Sequence, residues 1–209
     1  MDFKTRFATG FFYEFNEETY LITARHNFGD YDSSELEYKE QPLTNDESDE
    51  PLYTSKVKAY FSESEYVELS LEDDFCYTPE AHQDLVAIRL EGELPQSIEC
   101  FDSVSRPENG EIVKYSGFYA PSFISNPYDE IYEKSMRVKR VKDQDKHTNK
   151  ENLKVLEFLS GDEPTPGMSG GPFYLENKLV GVFTHGVKEE GVQKLFYWGS
   201  GSIQDLFDR

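Results

Sequence analysis

Short runs along this chain are either rich in apolar residues or alternate hydrophobic and polar residues, and both patterns are typical of β-strands when turn-like polar segments separate the runs. Residues 8–15 and 19–24 form the first two runs, and the polar triplet Asn16-Glu17-Glu18 between them predicts a hairpin. The other predicted strands are 55–61, 66–71, 84–90, 111–119, 137–142, 153–158, 178–184 and 193–198. Residues 202–208 have the pattern of a short amphipathic helix or turn. The pattern therefore predicts an all-β chain with one short helix at its end.

Residues 91–109 interrupt this series of strands. The segment contains Pro95 and Pro107, is followed by Gly110, and has no clear alternation, which is typical of a connection. A chain of 209 residues is short enough to fold as one domain. We therefore expect a single domain over residues 1–209, with residues 1–100 and 101–209 as its two halves.

The charge of the chain limits its partners. The formal net charge is −20, and residues 1–100 hold most of it, with 24 acidic and 7 basic residues. Nucleic acids and anionic lipids bind positive surfaces, so neither is an expected partner. No run approaches the ~20 apolar residues that a membrane-spanning helix needs. The acidic half is interpreted as a solvated surface, with attraction of a basic substrate or partner as the alternative.

The clearest chemical signal is a serine set among glycines, Gly167-Met168-Ser169-Gly170-Gly171-Pro172. Glycines allow a sharp turn whose N–H groups point outward. A nucleophilic serine needs such a turn, because N–H groups beside it must stabilise the oxyanion that forms during acyl transfer. Taken alone, the motif also fits an ordinary glycine-rich turn with a capping serine.

Two further residues favour the catalytic interpretation. His26 follows the apolar run 20–24, and Asp84 opens the apolar run 85–90. A serine hydroxyl is a weak nucleophile that needs a base, and the base needs a carboxylate to orient it. The chain supplies all three groups in the order His26, Asp84, Ser169.

These stretches resemble the trypsin-like serine peptidases of the chymotrypsin fold. Thr23-Ala24-Arg25-His26 resembles that family's T-A-x-H stretch, and Asp84-Leu85-Val86-Ala87 resembles its D-hydrophobic-A stretch. Gly167 to Pro172 resembles the G-x-S-G-G-P stretch, and the Pro-Gly before the serine is closest to the bacterial and HtrA-like branches, here without a PDZ domain. The matched stretches cover about 40 of the 209 residues.

The resemblance implies a fold and a mechanism. The fold would be two six-stranded antiparallel β-barrels with a short C-terminal helix, the first barrel in residues 1–100 and the second in 101–209. Ser169 would be the nucleophile, His26 the general base and Asp84 the residue that orients the imidazole. The backbone N–H groups of Gly167 and Ser169 would form the oxyanion hole. The substrate would be a peptide or protein, with no cofactor and no metal.

The resemblance also suggests which residues bind substrate. Thr184, His185 and Gly186 would pair with the substrate backbone. Glu163 lies six residues before the nucleophile, where trypsin has the aspartate that selects Lys or Arg at P1. His185 offers an alternative, because a histidine on this strand selects Glu or Gln in some relatives, although here it is shifted from that position.

The chain departs from the secreted, zymogen-type relatives at two positions. Met168 replaces the aspartate that pairs with a freed N-terminus, so activation by that route is not expected. Asn27 replaces a cysteine that often forms a disulfide, and only Cys76 and Cys100 are present in the whole chain. The low cysteine count and the absence of an apolar leader in residues 1–8 predict a cytoplasmic protein.

Other functions remain as alternatives. An α/β-hydrolase has its triad in the order Ser, acid, His, which this chain does not follow. A catalytically silent or latent peptidase fold that binds a protein partner is the main alternative. The acidic segment 29–50 is interpreted as an inert surface insertion, or as a segment that occludes the cleft. Gating of the cleft by a regulatory protein partner is a separate alternative. Residues 134–154 carry eight Lys or Arg and three acids, and form either a solvated surface or a docking surface for an acidic partner.

Overall fold

A computed structural model of the protein describes residues 8–27, 56–60, 65–70, 76–77, 84–118, 131–143, 153–161, 167–189 and 192–207. The acidic segment 29–50 and the substrate-binding candidate Glu163 lie outside the described residues, so the interpretations given to them stay predictions. The described chain is mostly β-strand and has one six-residue helix near its end. This confirms the all-β class with a short C-terminal helix.

The first half begins with the predicted hairpin. Its strands pair antiparallel from Gly10 opposite Thr23 to Phe15 opposite Glu18. The two-residue loop has positive φ at both Asn16 and Glu17, which is the turn geometry that matches the twist of a hairpin. The strands of this half are β1 (Gly10–Phe15), β2 (Glu18–Thr23), β3 (Lys56–Tyr60), β4 (Tyr66–Ser70), β5 (Cys76–Tyr77) and β6 (Val86–Arg89).

These six strands form two sheets among the described residues. One sheet has the order β1-β2-β6-β5, and β3 and β4 make a separate hairpin. Leu69 of the hairpin is buried against apolar side chains of the larger sheet, such as Phe12 and Ile88. The strand number agrees with the expected first barrel, while its closure stays a prediction.

The second half is a closed barrel of six antiparallel strands, as predicted. The order around the barrel is β10-β11-β12-β9-β8-β7. Its elements are β7 (Ile112–Phe118), β8 (Ile131–Asp143), β9 (Leu153–Gly161), β10 (Pro172–Leu175), β11 (Lys178–Glu189), β12 (Val192–Gly199) and the helix α1 (Ser200–Asp205). The alternation did not predict β10, because four residues are too short for a period of two to stand out.

The two halves share one hydrophobic core. Ile22, Leu85 and Ala87 of the first sheet contact Leu179 and Trp198 of the barrel in a single buried cluster. Each of these side chains is at most 1% exposed. Burial of apolar surface contributes about 25 cal/mol per Å², so this shared cluster strongly favours the association of the two halves.

The C-terminal end strengthens the same contact. Phe207, just after α1, stacks on Phe15 with ring centroids 4.5 Å apart and lies 4.8 Å from the ring of Tyr20. Both tyrosine and phenylalanine belong to the β1–β2 hairpin, whereas α1 packs on β11 and β12 of the barrel. The short helix therefore brings the chain end back onto the first half.

The connecting segment also joins the halves. Phe101 forms an isolated bridge with Tyr13 of β1, and Val104 forms one with Leu179 of β11. Backbone hydrogen bonds accompany both bridges, at 2.7 Å from Glu14 N to the Phe101 carbonyl and 2.9 Å from Leu179 N to the Ser103 carbonyl. The segment without predicted strands thus pairs with one strand of each half.

The outer face of β10 is held by a polar cluster. Glu133 of β8 accepts hydrogen bonds from Lys114 at 2.8 Å and from Tyr174 of β10 at 2.5 Å. The bonds from Lys114 and then Tyr174 lower the pKa of Glu133, and burial, followed by the bond to Glu133, raises the pKa of Tyr174. The cluster links β10 to its barrel neighbours β7 and β8.

The described residues contain neither a membrane-spanning helix nor a cluster of metal ligands. Within them, no helix has the length and apolar character needed to cross a membrane. Over the same residues, His, Cys, Asp and Glu side chains form no group of three or more that could hold a metal ion.

Candidate active site

Strand pairing in the first sheet brings His26 and Asp84 together. β2 and β6 are antiparallel, with Thr23 opposite Val86. His26 follows Thr23 by three residues in a short 3₁₀ turn, and Asp84 precedes Val86 by two. Both residues therefore lie beyond the same end of this strand pair, although 58 residues separate them in sequence.

Both carboxylate oxygens of Asp84 contact His26. Oδ2 lies 2.7 Å from the ring Nδ1, and Oδ1 accepts the backbone N–H of the same residue at 2.9 Å. The side chain of Asp84 is only 7% exposed, whereas that of His26 is 25% exposed. A carboxylate acceptor at Nδ1 fixes the tautomer that carries its proton there, which leaves Nε2 with a lone pair in the neutral ring.

Ser169 reaches His26 from the other half of the molecule. It lies in the loop between β9 and β10, and its Oγ is 2.8 Å from Nε2 of His26. The same Oγ lies 2.8 Å from the carbonyl oxygen of Thr184 in β11. A hydroxyl has one proton, so Ser169 can donate either to the imidazole or to this carbonyl at any moment. The structure thus brings the three predicted residues together.

The loop around Ser169 requires glycine. Gly167 and Gly170 have φ of 93° and 89°, a region that other residues avoid. A Cβ on Gly170 would lie 2.3 Å from Thr23 Oγ1 and 2.4 Å from the Thr9 carbonyl. Met168 between them is fully buried in the barrel core. The first sheet and the nucleophile loop therefore touch backbone to backbone.

The predicted oxyanion donors lie in this loop. The backbone N–H groups of Gly167 and Ser169 donate to no acceptor among the described residues. The neighbouring N–H groups are used, since Gly170 donates to the Phe183 carbonyl at 2.8 Å and Gly171 donates to the Met168 carbonyl at 3.0 Å.

The substrate-binding candidates on β11 differ in exposure. Thr184 is buried, whereas His185 and Gly186 are exposed. The His185 ring stacks on Phe196 with centroids 4.5 Å apart, and its Nδ1 lies 3.0 Å from Thr184 Oγ1. The same hydroxyl can also donate to the Phe196 carbonyl at 3.1 Å. The exposed ring therefore contacts both Thr184 and Phe196.

Thr9 and Asn27 contact the nucleophile loop, and the sequence pattern did not single them out as site residues. Thr9 Oγ1 donates to the Gly167 carbonyl at 2.6 Å, and Asn27 Nδ2 donates to the Ser169 carbonyl at 3.2 Å. These pairs are 158 and 142 residues apart in sequence. A side chain that binds a distant backbone carbonyl leaves no local pattern, so the replacement of cysteine by Asn27 was the one available signal.

The sequence of this chain agrees with one known family over nearly its whole length. The model of the trypsin family matches residues 1–205. The chain belongs to the trypsin family. The resemblance seen in three short stretches is thereby confirmed, while its placement in the bacterial and HtrA-like branch stays a prediction. No curated protein matches this trypsin-family chain in sequence.

Solved structures share the fold of this trypsin-family protein at low sequence identity. A Glu endopeptidase in complex with MPD is 15% identical with a TM-score of 0.57, over 97% of this chain and 90% of that one. The Rv3671c protease from M. tuberculosis, in its active form, is 12% identical with a TM-score of 0.55, over 94% and 70%. A mutant of human heparin binding protein is 14% identical with a TM-score of 0.54, over 90% and 80%. These likenesses show the chymotrypsin-like fold.

The close approach at Gly170 predicts a large effect of a single methyl group. Gly170→Ala adds strain at φ 89° and a clash with Thr9 and Thr23, whereas Gly110→Ala meets nothing within 4 Å at φ 92°. We expect Gly110→Ala to cost about 1–2 kcal/mol of unfolding free energy, and Gly170→Ala about 1–3 kcal/mol more. Chemical denaturation of both variants measures the difference, and equal losses would contradict the tight packing of the loop.

Proposed function

We propose that this protein is a serine endopeptidase that hydrolyses peptide bonds through an acyl-enzyme. The observation that carries the proposal is the continuous line of contacts from Ser169 Oγ to His26 Nε2 at 2.8 Å and from His26 Nδ1 to Asp84 Oδ2 at 2.7 Å. Family membership supports it, because a trypsin-family chain that keeps this arrangement has every group the reaction needs.

The proposed reaction begins at the serine. Neutral His26 accepts the Ser169 proton at Nε2 as Oγ attacks the substrate carbonyl carbon, and Asp84 stabilises the imidazolium that forms. The N–H groups of Gly167 and Ser169 donate to the resulting oxyanion. His26 then protonates the leaving amine, and a water molecule, deprotonated by the same imidazole, hydrolyses the acyl-enzyme. The reaction needs protein groups and water, with no cofactor or metal.

A latent or catalytically silent peptidase fold that binds a protein partner is the second candidate. The observation in its favour is the Thr184 carbonyl, which is as close to Ser169 Oγ as the imidazole is, at 2.8 Å. A serine that donates to this carbonyl is not activated by the base. The structural neighbour named as a heparin binding protein, whose name describes binding, is compatible with this candidate.

Two features of the proposal rest on sequence alone. A cytoplasmic location rests mainly on the presence of only two cysteines in 209 residues, because oxidising compartments favour disulfides. A regulatory protein partner rests on the acidic segment 29–50, which follows His26 in the sequence and has the composition of an exposed insertion. The acidic surface also makes nucleic acid and membrane lipids unfavourable partners.

The first test is labelling by a fluorophosphonate probe. We expect the wild-type protein to be labelled, and Ser169→Ala and His26→Ala to lose labelling, because the probe reacts with an activated serine. Ser103→Ala, in the connecting segment, is the matched control and should label like wild type. If wild type stays unlabelled both when purified and in native lysate, the binding-module candidate replaces the endopeptidase.

The proposed base predicts a rise in activity with pH. The imidazole of His26 must be neutral to accept the serine proton. We expect kcat/KM for a peptide substrate to rise with pH until the imidazole is neutral and then to level off. A rate that does not change with pH, in protein that stays folded by circular dichroism, would argue against His26 as the base.

Substrate preference is a separate prediction, tested with a library varied at P1. We expect Lys and Arg to be preferred through Glu163, and Glu163→Gln to reduce that preference by about 10- to 100-fold, since a hydrogen bond to a charged group contributes about 1.5–3 kcal/mol. Preference for Glu or Gln would instead favour His185, in line with the neighbour that is a Glu endopeptidase. His185→Ala should then abolish it. Preference for Ala or Val would contradict both assignments.

A further inference from the structure

Three consecutive carbonyl groups in the nucleophile loop have hydrogen-bond donors. Thr9 Oγ1 donates to the Gly167 carbonyl at 2.6 Å, the Gly171 N–H donates to Met168 at 3.0 Å, and Asn27 Nδ2 donates to Ser169 at 3.2 Å. The central bond lies within the loop itself. The two outer bonds come from side chains of the first half, so the loop depends on that half for its conformation.

Fixing a carbonyl fixes an N–H, because each peptide unit is planar. The unit with the Met168 carbonyl carries the N–H of Ser169, one of the two proposed oxyanion donors. The preceding peptide unit carries the Gly167 carbonyl and is joined to this one at the Cα atom of Met168. A rotation of the preceding unit about that atom would tilt the Ser169 N–H. The bond from Thr9 opposes this rotation, and the bond from Asn27 opposes it on the other side of Ser169.

Thr9 and Asn27 are themselves joined. Asn27 Nδ2 also donates to Thr23 Oγ1 at 2.9 Å, and Thr23 Oγ1 donates to the Thr9 carbonyl at 2.6 Å. Thr9 and Thr23 are 3% and 4% exposed. Hydrogen bonds that are shielded from water and connected in series reinforce one another. The two anchors thus act as one connected, partly buried unit at the end of the first sheet.

We propose that Thr9 and Asn27 are positioning residues that hold Ser169 and its N–H group, one of the two proposed oxyanion donors, in their reactive arrangement from the opposite half of the molecule. The proposal rests on the proposed endopeptidase function. Neither residue takes part in proton transfer, and both act through the backbone of residues 167–170.

The kinetic test uses a matched pair at Thr9. Thr9→Val keeps the side-chain shape and lacks the donor, whereas Thr9→Ser keeps the donor and lacks the methyl group. Misplaced oxyanion donors act mainly on the transition state, so we expect Thr9→Val and Asn27→Leu to lower kcat about 10- to 100-fold with KM within about threefold of wild type. Thr9→Ser should stay within about threefold in both constants.

Two kinetic outcomes would overturn the proposal. An unchanged kcat in Thr9→Val would mean that the anchor does not affect the chemistry. An equal loss of kcat in Thr9→Ser and Thr9→Val, with a parallel fall in melting temperature, would assign Thr9 a merely structural role.

Amide hydrogen exchange supplies a readout that does not depend on activity. The N–H group of Gly171 is hydrogen-bonded to Met168 within the loop, and that of Gly170 to the Phe183 carbonyl of β11. We expect their exchange to be at least about tenfold faster in Thr9→Val and Asn27→Leu than in wild type and Thr9→Ser. The amide of Leu195, in the barrel core, should not change. Unchanged loop exchange would overturn the proposal, and loss of probe labelling in wild type would overturn the endopeptidase function instead.

Discussion

The contact between Ser169 Oγ and His26 Nε2 joins two sheets that have no strand in common, and the rest of the architecture keeps it within 2.8 Å. A shift of about 1 Å between such groups is enough to impair chemistry by orders of magnitude. Three separate structures hold the halves together: the shared buried cluster, the connecting segment that pairs with β1 and β11, and the return of Phe207 onto the hairpin. Each joins one half to the other at a different place.

Gly170 shows how little space this arrangement leaves. The backbone of the nucleophile loop approaches Thr9 and Thr23 so closely that even a methyl group has no room. Tight packing and directional hydrogen bonds act together here, since the residues that exclude a side chain at Gly170 also form the chain of bonds that ends on the loop carbonyls. The same residues therefore fix both the distance between the halves and the orientation of the loop.

Thr184 connects the reacting groups to the proposed substrate strand. Its carbonyl lies 2.8 Å from Ser169 Oγ, and its hydroxyl lies 3.0 Å from Nδ1 of His185. This buried residue therefore contacts both the proposed nucleophile and an exposed ring on the same strand.

The sequence by itself was enough to predict the all-β class and the division into two halves. It also identified Ser169, His26 and Asp84 as the candidate catalytic residues. These features are local. Alternation indicates a strand with one buried face, and glycines indicate a sharp turn. A histidine or aspartate next to an apolar run indicates a residue at the end of a strand. The short strand β10 was not predicted, because four residues are too few to show a clear period of two.

Only the tertiary structure decided how the halves meet and what holds the nucleophile loop. The bonds from Thr9 and Asn27 to carbonyls 158 and 142 residues away depend on the packing of a sheet against a barrel, as does the choice of the Ser169 hydroxyl between His26 and Thr184. Backbone carbonyls are the same in every residue, so no sequence pattern marks which of them a side chain will reach. That information exists only once the distant segments have packed together.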